Sequence, residues 1–422
     1  PAETTPEVRA DGPQTAEIIT LFRHVLGGVD VAADDDFFDL GGDSLAATRL
    51  VNQVRTVFGV DLAMRSVFEA PTPALLAARL GDAERSTLAP ITAGRRPDRL
   101  PLSPAQRRLW FLEQFESTAT AYVMTVAVRL NGPLDVSALE RALNAVLARH
   151  ESLRTRFPTT DDEPWQEILP AAAARLTLAP VDTTDAALLP TLATLQATDA
   201  RFDLANDLPV RAILYRLSAD RHVLVLRVHH IAGDEESLRP LAQDLRRAYS
   251  DASALTPLSL QVADVALWQR DQTYDDQEAF WVRELGDLPS ALALPYDTPP
   301  GGAGRHRPAG QVPLRIGAAL TRRLSDLAHE ERASLFMALQ AGLATLLHRY
   351  GAGDDIPIGA PSAGRSRREL EDLIGFFVNM IVLRCRLGGR PSFRDLLARV
   401  RGCNLAAYAN QDAPFDRVVD RL

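Results

Sequence analysis

The chain has 422 residues, of which 46% are hydrophobic and 24% charged, and its formal net charge is −9. This length exceeds one ordinary core and implies two or three globular domains. No long basic run marks a nucleic-acid footprint, no apolar stretch approaches the ~20 residues of a membrane span, and two cysteines, Cys385 and Cys403, make no disulfide framework.

Residues 1–14 are polar and lack the apolar core of a signal peptide, so they read as a disordered segment of a cytoplasmic protein, with neither nucleic acid nor membrane as partner. Residues 15–81 read as a small four-helix bundle. Ile18, Ile19, Phe22, Val25 and Leu26 recur at helical spacing, and Gly27-Gly28 stops the run. Ala46, Ala47, Leu50, Val51, Val54, Val57 and Phe58 repeat the pattern, and Thr72-Pro73 is an N-cap followed by proline at the first helical position. Residues 82–100, rich in proline and arginine, read as a linker.

From residue 101 strand-like and helical segments alternate. YVMTVAVRL and HVLVLRV predict strands; SALERALNAVLARH and SLRPLAQDLRRAY predict helices. SLFMALQAGLATLLHRY is nearly all apolar and predicts a buried helix. This α/β stretch is long enough for two lobes, 101–272 and 273–422, dividing between Gln269 and Glu284.

In DDDFFDLGGDSLAATRL, Gly41 and Gly42 give an approach without side chains, and Asp43 is placed to cap a helix starting near Ser44. A serine at a helix N-terminus sits among free N–H groups and the positive dipole end, which favour an attached phosphate. No histidine or lysine lies close in sequence to activate Ser44 as a nucleophile. GGDSL alone is also an ordinary loop and N-cap. The whole stretch resembles the peptidyl carrier proteins of nonribosomal peptide synthetases. That resemblance implies 4′-phosphopantetheine covalently attached to Ser44 by a phosphopantetheinyl transferase.

The remainder resembles the condensation domains of the same synthetases, on six motifs in order: LSPAQRRLWFL (Leu102–Leu112), RHESLRTRF (Arg149–Phe157), HHIAGDE (His229–Glu235), VADVALWQR (Val262–Arg270), IGFFVNMIVLR (Ile374–Arg384) and NQDAPFD (Asn410–Asp416). The resemblance implies two chloramphenicol-acetyltransferase-like lobes in a V, with carrier-bound substrates meeting at the histidine motif. The implied reaction joins a carrier-bound donor thioester to the amine of a carrier-bound acceptor. The implied partners are the neighbouring carrier and adenylation domains.

Read from the residues, a regular strand over 223–230 puts His230 on one face with Leu224, Leu226 and Val228, and His229 on the other. Opposed imidazoles are poor ligands for one metal, so none is expected. A lone histidine on an apolar face is ordinarily a core residue; the resemblance makes His230 the candidate catalytic residue, as general base or as the group that positions the amine. His229 is the structural member of the pair. The resemblance implies that Asp234 is structural and pairs with Arg365; Asn379 and Gln411 are candidates near the channel.

Glu235 stands where the family has glycine. Its side chain is expected either to narrow the approach to His230 or to recruit a cationic group. An acid at this position also occurs in recruitment domains of glycopeptide synthetases, which replace the second histidine by arginine; here both histidines are kept. Epimerisation domains share HHxxxD, and carriers reading GGDS often precede them, but the flanking motifs follow the condensation pattern. LLARVRGCNLAAYANQDAPFDRVVDRL resembles the subtype that accepts a D-configured donor, and donor chirality stays open. The family continues beyond the equivalent of Leu422, so an incomplete second lobe with an unpaired strand edge is expected.

Overall fold

The computed structural model describes residues 12–85, 91–115, 121–198, 201–288, 291–296 and 312–422; the expected disorder of 1–14 lies outside them up to residue 11. By their contacts the described residues form two units. One contains those of 1–88, 275–362 and 380–422, the other those of 89–274 and 363–379.

The first unit opens with helices. α1 (Pro13–Val25) has proline in its first turn and ends before Gly27 and Gly28, both at positive φ. α2 (Ser44–Phe58) is capped by the Asp43 carboxylate, which accepts from the Ala46 N–H at 2.7 Å, and stops at left-handed Gly59. β1 (Val60–Asp61), α3 (Met64–Glu69) and α4 (Pro73–Arg79) follow, with Thr72 capping α4. β2 (Glu84–Arg85), within the stretch read as linker, pairs antiparallel with β1. Ile18, Phe22, Phe37, Leu50, Val54 and Leu76 are fully buried in one core.

The second unit runs through β3 (Leu100–Pro101), α5 (Pro104–Phe115), β4 (Val123–Asn131), α6 (Val136–Arg149), β5 (Thr155–Arg156), β6 (Thr159–Thr160), β7 (Glu163–Ile168), β8 (Val181–Asp182), α7 (Asp185–Thr198), β9 (Val210–Ser218), β10 (Arg221–His229), α8 (Leu238–Ser250) and α9 (Val262–Arg270). Its main sheet has the order β4-β10-β9-β8; β8 is parallel to β9 and the other pairings are antiparallel. Val223–Val228 of β10 is apolar at five of six positions because both its faces are covered. Leu224, Leu226 and Val228 pack with Leu143 and Val146 of α6 and Leu241 of α8. Val223 and Val225 pack with Leu188 of α7 and Tyr215. A smaller sheet has the order β3-β7-β5, with β6 on β7.

Residues 91–99 carry no helix or strand, yet they are anchored to this unit. Ile91 is buried with Leu260, Val262 and Leu373. The Arg96 guanidinium donates twice to Asp264, at 2.8 and 2.9 Å, and to Glu151 at 2.8 Å.

The first unit is completed by α10 (Asp275–Leu285), α11 (Ala318–Glu330), α12 (Leu335–Arg349), β11 (Asp355–Ser362), β12 (Asn379–Arg386) from Met380 onward, α13 (Phe393–Ala409) and α14 (Phe415–Arg421). β11 and β12 form a sheet of two strands among the described residues. The expectation that α12 is buried all round is corrected. Met337, Ala338, Ala341 and Ala344 are buried in a cluster with Leu397 and Val400 of α13, whereas Phe336, Leu339, Leu343 and Leu346 are 40–52% exposed. Alanines on the covered face let α13 approach closely, so the larger side chains lie on the other face.

Between these helices lies a buried polar group: Gln340 and Asn404 exchange two hydrogen bonds, at 2.7 and 3.1 Å, and Gln340 also donates to Cys385. Burial raises the Cys385 thiol above its ordinary value and pushes Cys403 up to about 11. At pH 8 a thiol with that value is roughly 0.1% thiolate, against roughly 25% for an ordinary one. Cys403 is therefore expected to alkylate with iodoacetamide at least ~100-fold more slowly in the folded chain than in urea, speeding up as pH rises, and Cys385 is expected to be slowed in the same direction. Equal rates in the two states would contradict this burial.

Candidate functional site

β10 ends at His229, and His230–Ala232 forms a turn of 3-10 helix. The expectation that His230 continues the strand is therefore corrected. The His230 N–H donates to the Tyr122 carbonyl at 2.7 Å, but the next N–H, of Ile231, donates to Nδ1 of the His229 ring at 3.1 Å. A side chain that captures the backbone two residues on ends the strand. The His229 ring is fully buried and edge-on to Phe202. The His230 ring is 20% exposed and packs against Phe376.

His230 Nδ1 lies 3.2 Å from the Gly233 carbonyl. A carbonyl only accepts, so Nδ1 carries a proton, and in the neutral ring Nε2 presents the lone pair. Glu235 Oε1 is 4.0 Å from that Nε2, on a side chain 73% exposed. Glu235 flanks the nitrogen and leaves it uncovered by any direct bond.

Asp234, 1% exposed, is the anchor of this loop. Its Oδ1 accepts from the Ser237 N–H at 3.0 Å, from the Ser237 hydroxyl at 2.7 Å and from Arg365 Nη2 at 2.8 Å; its Oδ2 accepts from the Phe377 N–H at 3.1 Å. Arg365 Nη1 also donates to the carbonyls of Leu370 and Leu373, and its guanidinium stacks over Phe377 at 4.5 Å. Gly364 is required here. It sits at φ +63°, and a Cβ would come within 1.8 Å of the Phe377 carbonyl oxygen.

Four of the six sequence motifs lie in this unit, together with Ile374–Asn379 of a fifth. Ser103 and Gln106 cap the start of α5 reciprocally, and the Gln106 amide reaches the Ile231 carbonyl at 3.4 Å. Buried His150 pairs with Asp244 of α8 at 2.7 Å, and Ser152 donates to the Ile374 carbonyl at 2.6 Å. Asp264 of α9 takes Arg96, and Arg108 donates to the Val378 carbonyl. His229, His230, Asp234, Glu235 and Arg365 thus share one site. Asn379, half-buried, opens β12 just beyond Phe377 and Val378. Gln411 belongs to the first unit, where it accepts from the Ser362 hydroxyl.

Ser44 also belongs to the first unit, as the first residue of α2. Gly41 has φ +93°, and a Cβ on Gly42 would lie 2.4 Å from the Phe37 ring, so only glycine lets the loop reach the helix this way. Gly41, Gly42 and Asp43 line a cleft of about 620 Å³ with Phe68, Leu75, Ala333 and Phe336. The residues fit a phosphodiester-linked arm: a 15-residue helix begins at the serine, and its amide end favours negative charge. On the rim of the cleft His329 Nδ1 lies 3.7 Å from Asp36 and 3.5 Å from Asp39. Burial holds Asp36 above its ordinary value. These three side chains are a group of potential metal-binding type among the described residues.

Sequence reasoning missed Ser237, Glu113 and Phe376. Ser237 had a signal, because Asp-x-x-Ser is a reciprocal capping pattern. The other two reach the site only through the tertiary fold.

A serine at a helix start two residues after a Gly-Gly pair, ahead of an α/β unit whose central strand leads to a histidine, fits an acyl carrier followed by an acyltransferase-like fold. The chain belongs to the condensation-domain family: the condensation-domain model matches residues 97–422, and the phosphopantetheine attachment site model matches 16–80. The carrier segment is thus the region of 4′-phosphopantetheine attachment. A dimodular nonribosomal peptide synthase of Bacillus subtilis is 44% identical over 424 residues, 97% of this chain and 18% of that protein. The chain spans 6–18% of the length of three such curated relatives. Among solved structures, the X-domain from teicoplanin biosynthesis is 36% identical with TM-score 0.71, covering 79% of this chain and 75% of that one. The first condensation domain of the calcium-dependent antibiotic synthetase, 23% identical with TM-score 0.64 over 78% of each chain, shares the fold.

Proposed function

We propose that the chain holds an aminoacyl or peptidyl donor on phosphopantetheine at Ser44 and that its second unit forms an amide at His230. The supporting observation is the unshared Nε2 lone pair of His230, fixed by the Nδ1 contact to Gly233 and partly open. The arm supplies an acyl thioester, whose thiolate is a good leaving group at a thiol reference pKa of ~8.5. An α-amine, with a reference pKa of ~7.7–8.0, is already partly nucleophilic near neutrality. His230 Nε2 accepts a hydrogen bond from that amine, orients it and takes its proton as the C–N bond forms and the C–S bond breaks. His229, Asp234 and Arg365 hold the turn. Glu235, 4.0 Å from Nε2, offers a carboxylate to a cationic acceptor. Neighbouring adenylation and carrier domains and a phosphopantetheinyl transferase are the partners under this reading. Among the described residues no helix is long and apolar enough to cross a membrane.

The test loads the chain with a donor, adds an aminoacyl acceptor carrier and follows peptide on that carrier by mass spectrometry. Product from wild type and none from Ser44→Ala, which takes no arm, is expected. Wild type without product over a panel of donors and acceptors sinks the proposal. A second reading, recruitment without catalysis, is favoured by the likeness to the X-domain, which has been solved in complex with OxyB, and by the acid at 235. Absence of product together with binding of a tailoring enzyme supports that reading. Conversion of a loaded L-residue to its D form without acceptor supports epimerisation.

A further inference from the structure

We propose that Glu113 is a positioning residue that sets the tautomer of His229 and, through it, the aim of His230. The inference rests on the reading of His230 above. Glu113 lies in α5, just beyond the first motif, and its side chain is 10% exposed. Its Oε2 is 3.6 Å from Nε2 of His229, whose ring is wholly buried. Neither atom has a hydrogen-bond partner among the described residues, so each is the other's polar neighbour.

The Ile231 N–H can only donate, and it donates to His229 Nδ1 at 3.1 Å. Nδ1 must therefore be bare, and the proton of the neutral ring is on Nε2, facing Glu113. The other tautomer exchanges two attractions for two repulsions. Its Nδ1–H opposes the Ile231 N–H, and its Nε2 lone pair opposes the carboxylate. His230 has the opposite tautomer, with Nδ1–H toward Gly233 and Nε2 bare.

The two tautomers are linked through the turn. The bond from Ile231 to His229 starts the turn His230–Ala232. The turn closes with the Gly233 N–H donating to the His230 carbonyl at 3.1 Å. That closure brings the Gly233 carbonyl to His230 Nδ1, and so selects which ring nitrogen of His230 is left for the amine. The carboxylate acts two steps from the reacting atoms and needs no contact with substrate. Second-layer carboxylates that orient a histidine commonly act this way at metal sites, where their loss costs about 10–100-fold.

The test uses the full chain with ¹⁵N-labelled histidine. The sequence has eight histidines, so long-range ¹H–¹⁵N spectra are tractable, and loss of one pattern in His229→Gln identifies its signals. Wild type is expected to show His229 protonated on Nε2. Glu113→Gln, whose amide oxygen still accepts, is expected to keep that pattern and turnover within about threefold. Glu113→Val is expected to mix the His229 tautomers and lower kcat about 10–100-fold, with KM for both carriers unchanged. Glu113→Asp, which withdraws the charge by one methylene, is expected to fall between and carries the test if the valine variant does not fold. Glu113→Val, or Glu113→Asp in its place, with the wild-type tautomer pattern overturns the proposal. A shifted tautomer with unchanged kcat overturns the link to His230. If wild type forms no amide at all, the reading of His230 fails, and the spectra still decide whether Glu113 sets His229.

Discussion

Asp234→Ala is expected to lower the stability of the second unit by about 3–5 kcal/mol, the cost of stranding a buried charge. In the native site the Arg365 guanidinium faces Asp234, three backbone carbonyls and the Ser237 hydroxyl. Without Asp234 it keeps its acceptors and loses its counter-charge, with 6% of its side chain exposed. The Phe377 amide loses its acceptor too, and the Ser237 amide keeps only the Asp234 backbone carbonyl. Urea unfolding followed by tryptophan fluorescence reports this unit well, since Trp110, Trp165 and Trp268 lie in it and only Trp281 lies in the other. Asp234→Ala/Arg365→Ala is expected to cost less than the sum of its single changes, by about 0.5–3 kcal/mol, because the second removal takes away the stranded charge. A single variant with the wild-type midpoint and lost turnover would falsify the structural role and move Asp234 into the chemistry.

His230→Ala is expected to reduce kcat by about 10²–10⁴-fold if Nε2 takes the proton. The unfolding midpoint should move little, because the ring is partly exposed and makes one hydrogen bond, to Gly233. His230→Gln restores a hydrogen-bond acceptor without useful basicity. Recovery by glutamine to within about tenfold of wild type assigns the residue to positioning the amine; failure to recover assigns it to proton transfer. In either case the rate of wild type rises with pH up to ~8, as the acceptor amine loses its proton. Pre-steady-state mixing of loaded carriers checks both points. Turnover by His230→Ala at the wild-type rate rules out either role.

The helices of the carrier segment were legible because their signals are local. Asp43, Thr72 and Pro73 mark starts, Gly27 and Gly28 mark an end, and Ile18, Phe22, Leu50 and Val54 keep the helical period that burial requires. The histidine motif was legible as residue types but not as geometry. A strand carried one residue too far put His230 on the wrong element, because the capture of Ile231 by the His229 ring is a side-chain event that periodicity cannot register. The pairing of Asp234 with Arg365 spans 131 residues and came from resemblance; no local pattern contains it. Glu113 stayed invisible for the same reason. α12 shows the converse failure, since its composition announced an apolar helix but not which of its faces a neighbour would cover.

β10 has a consequence for how the site opens. Val225 in its middle is paired with Ala127 on one side and Ile213 on the other, and its side chain is wholly buried. Amide protons of such a strand exchange with solvent only when the whole unit opens, so their protection measures its full stability. The turn His230–Ala232 is secured instead by a ring nitrogen, the Tyr122 carbonyl and the Gln106 amide, and belongs to a smaller cooperative unit. Deuterium uptake should therefore step sharply between Val228 and Ile231. The reacting nitrogen sits one residue beyond the slowest-exchanging strand, so a local opening that leaves the sheet intact is enough to disarm it.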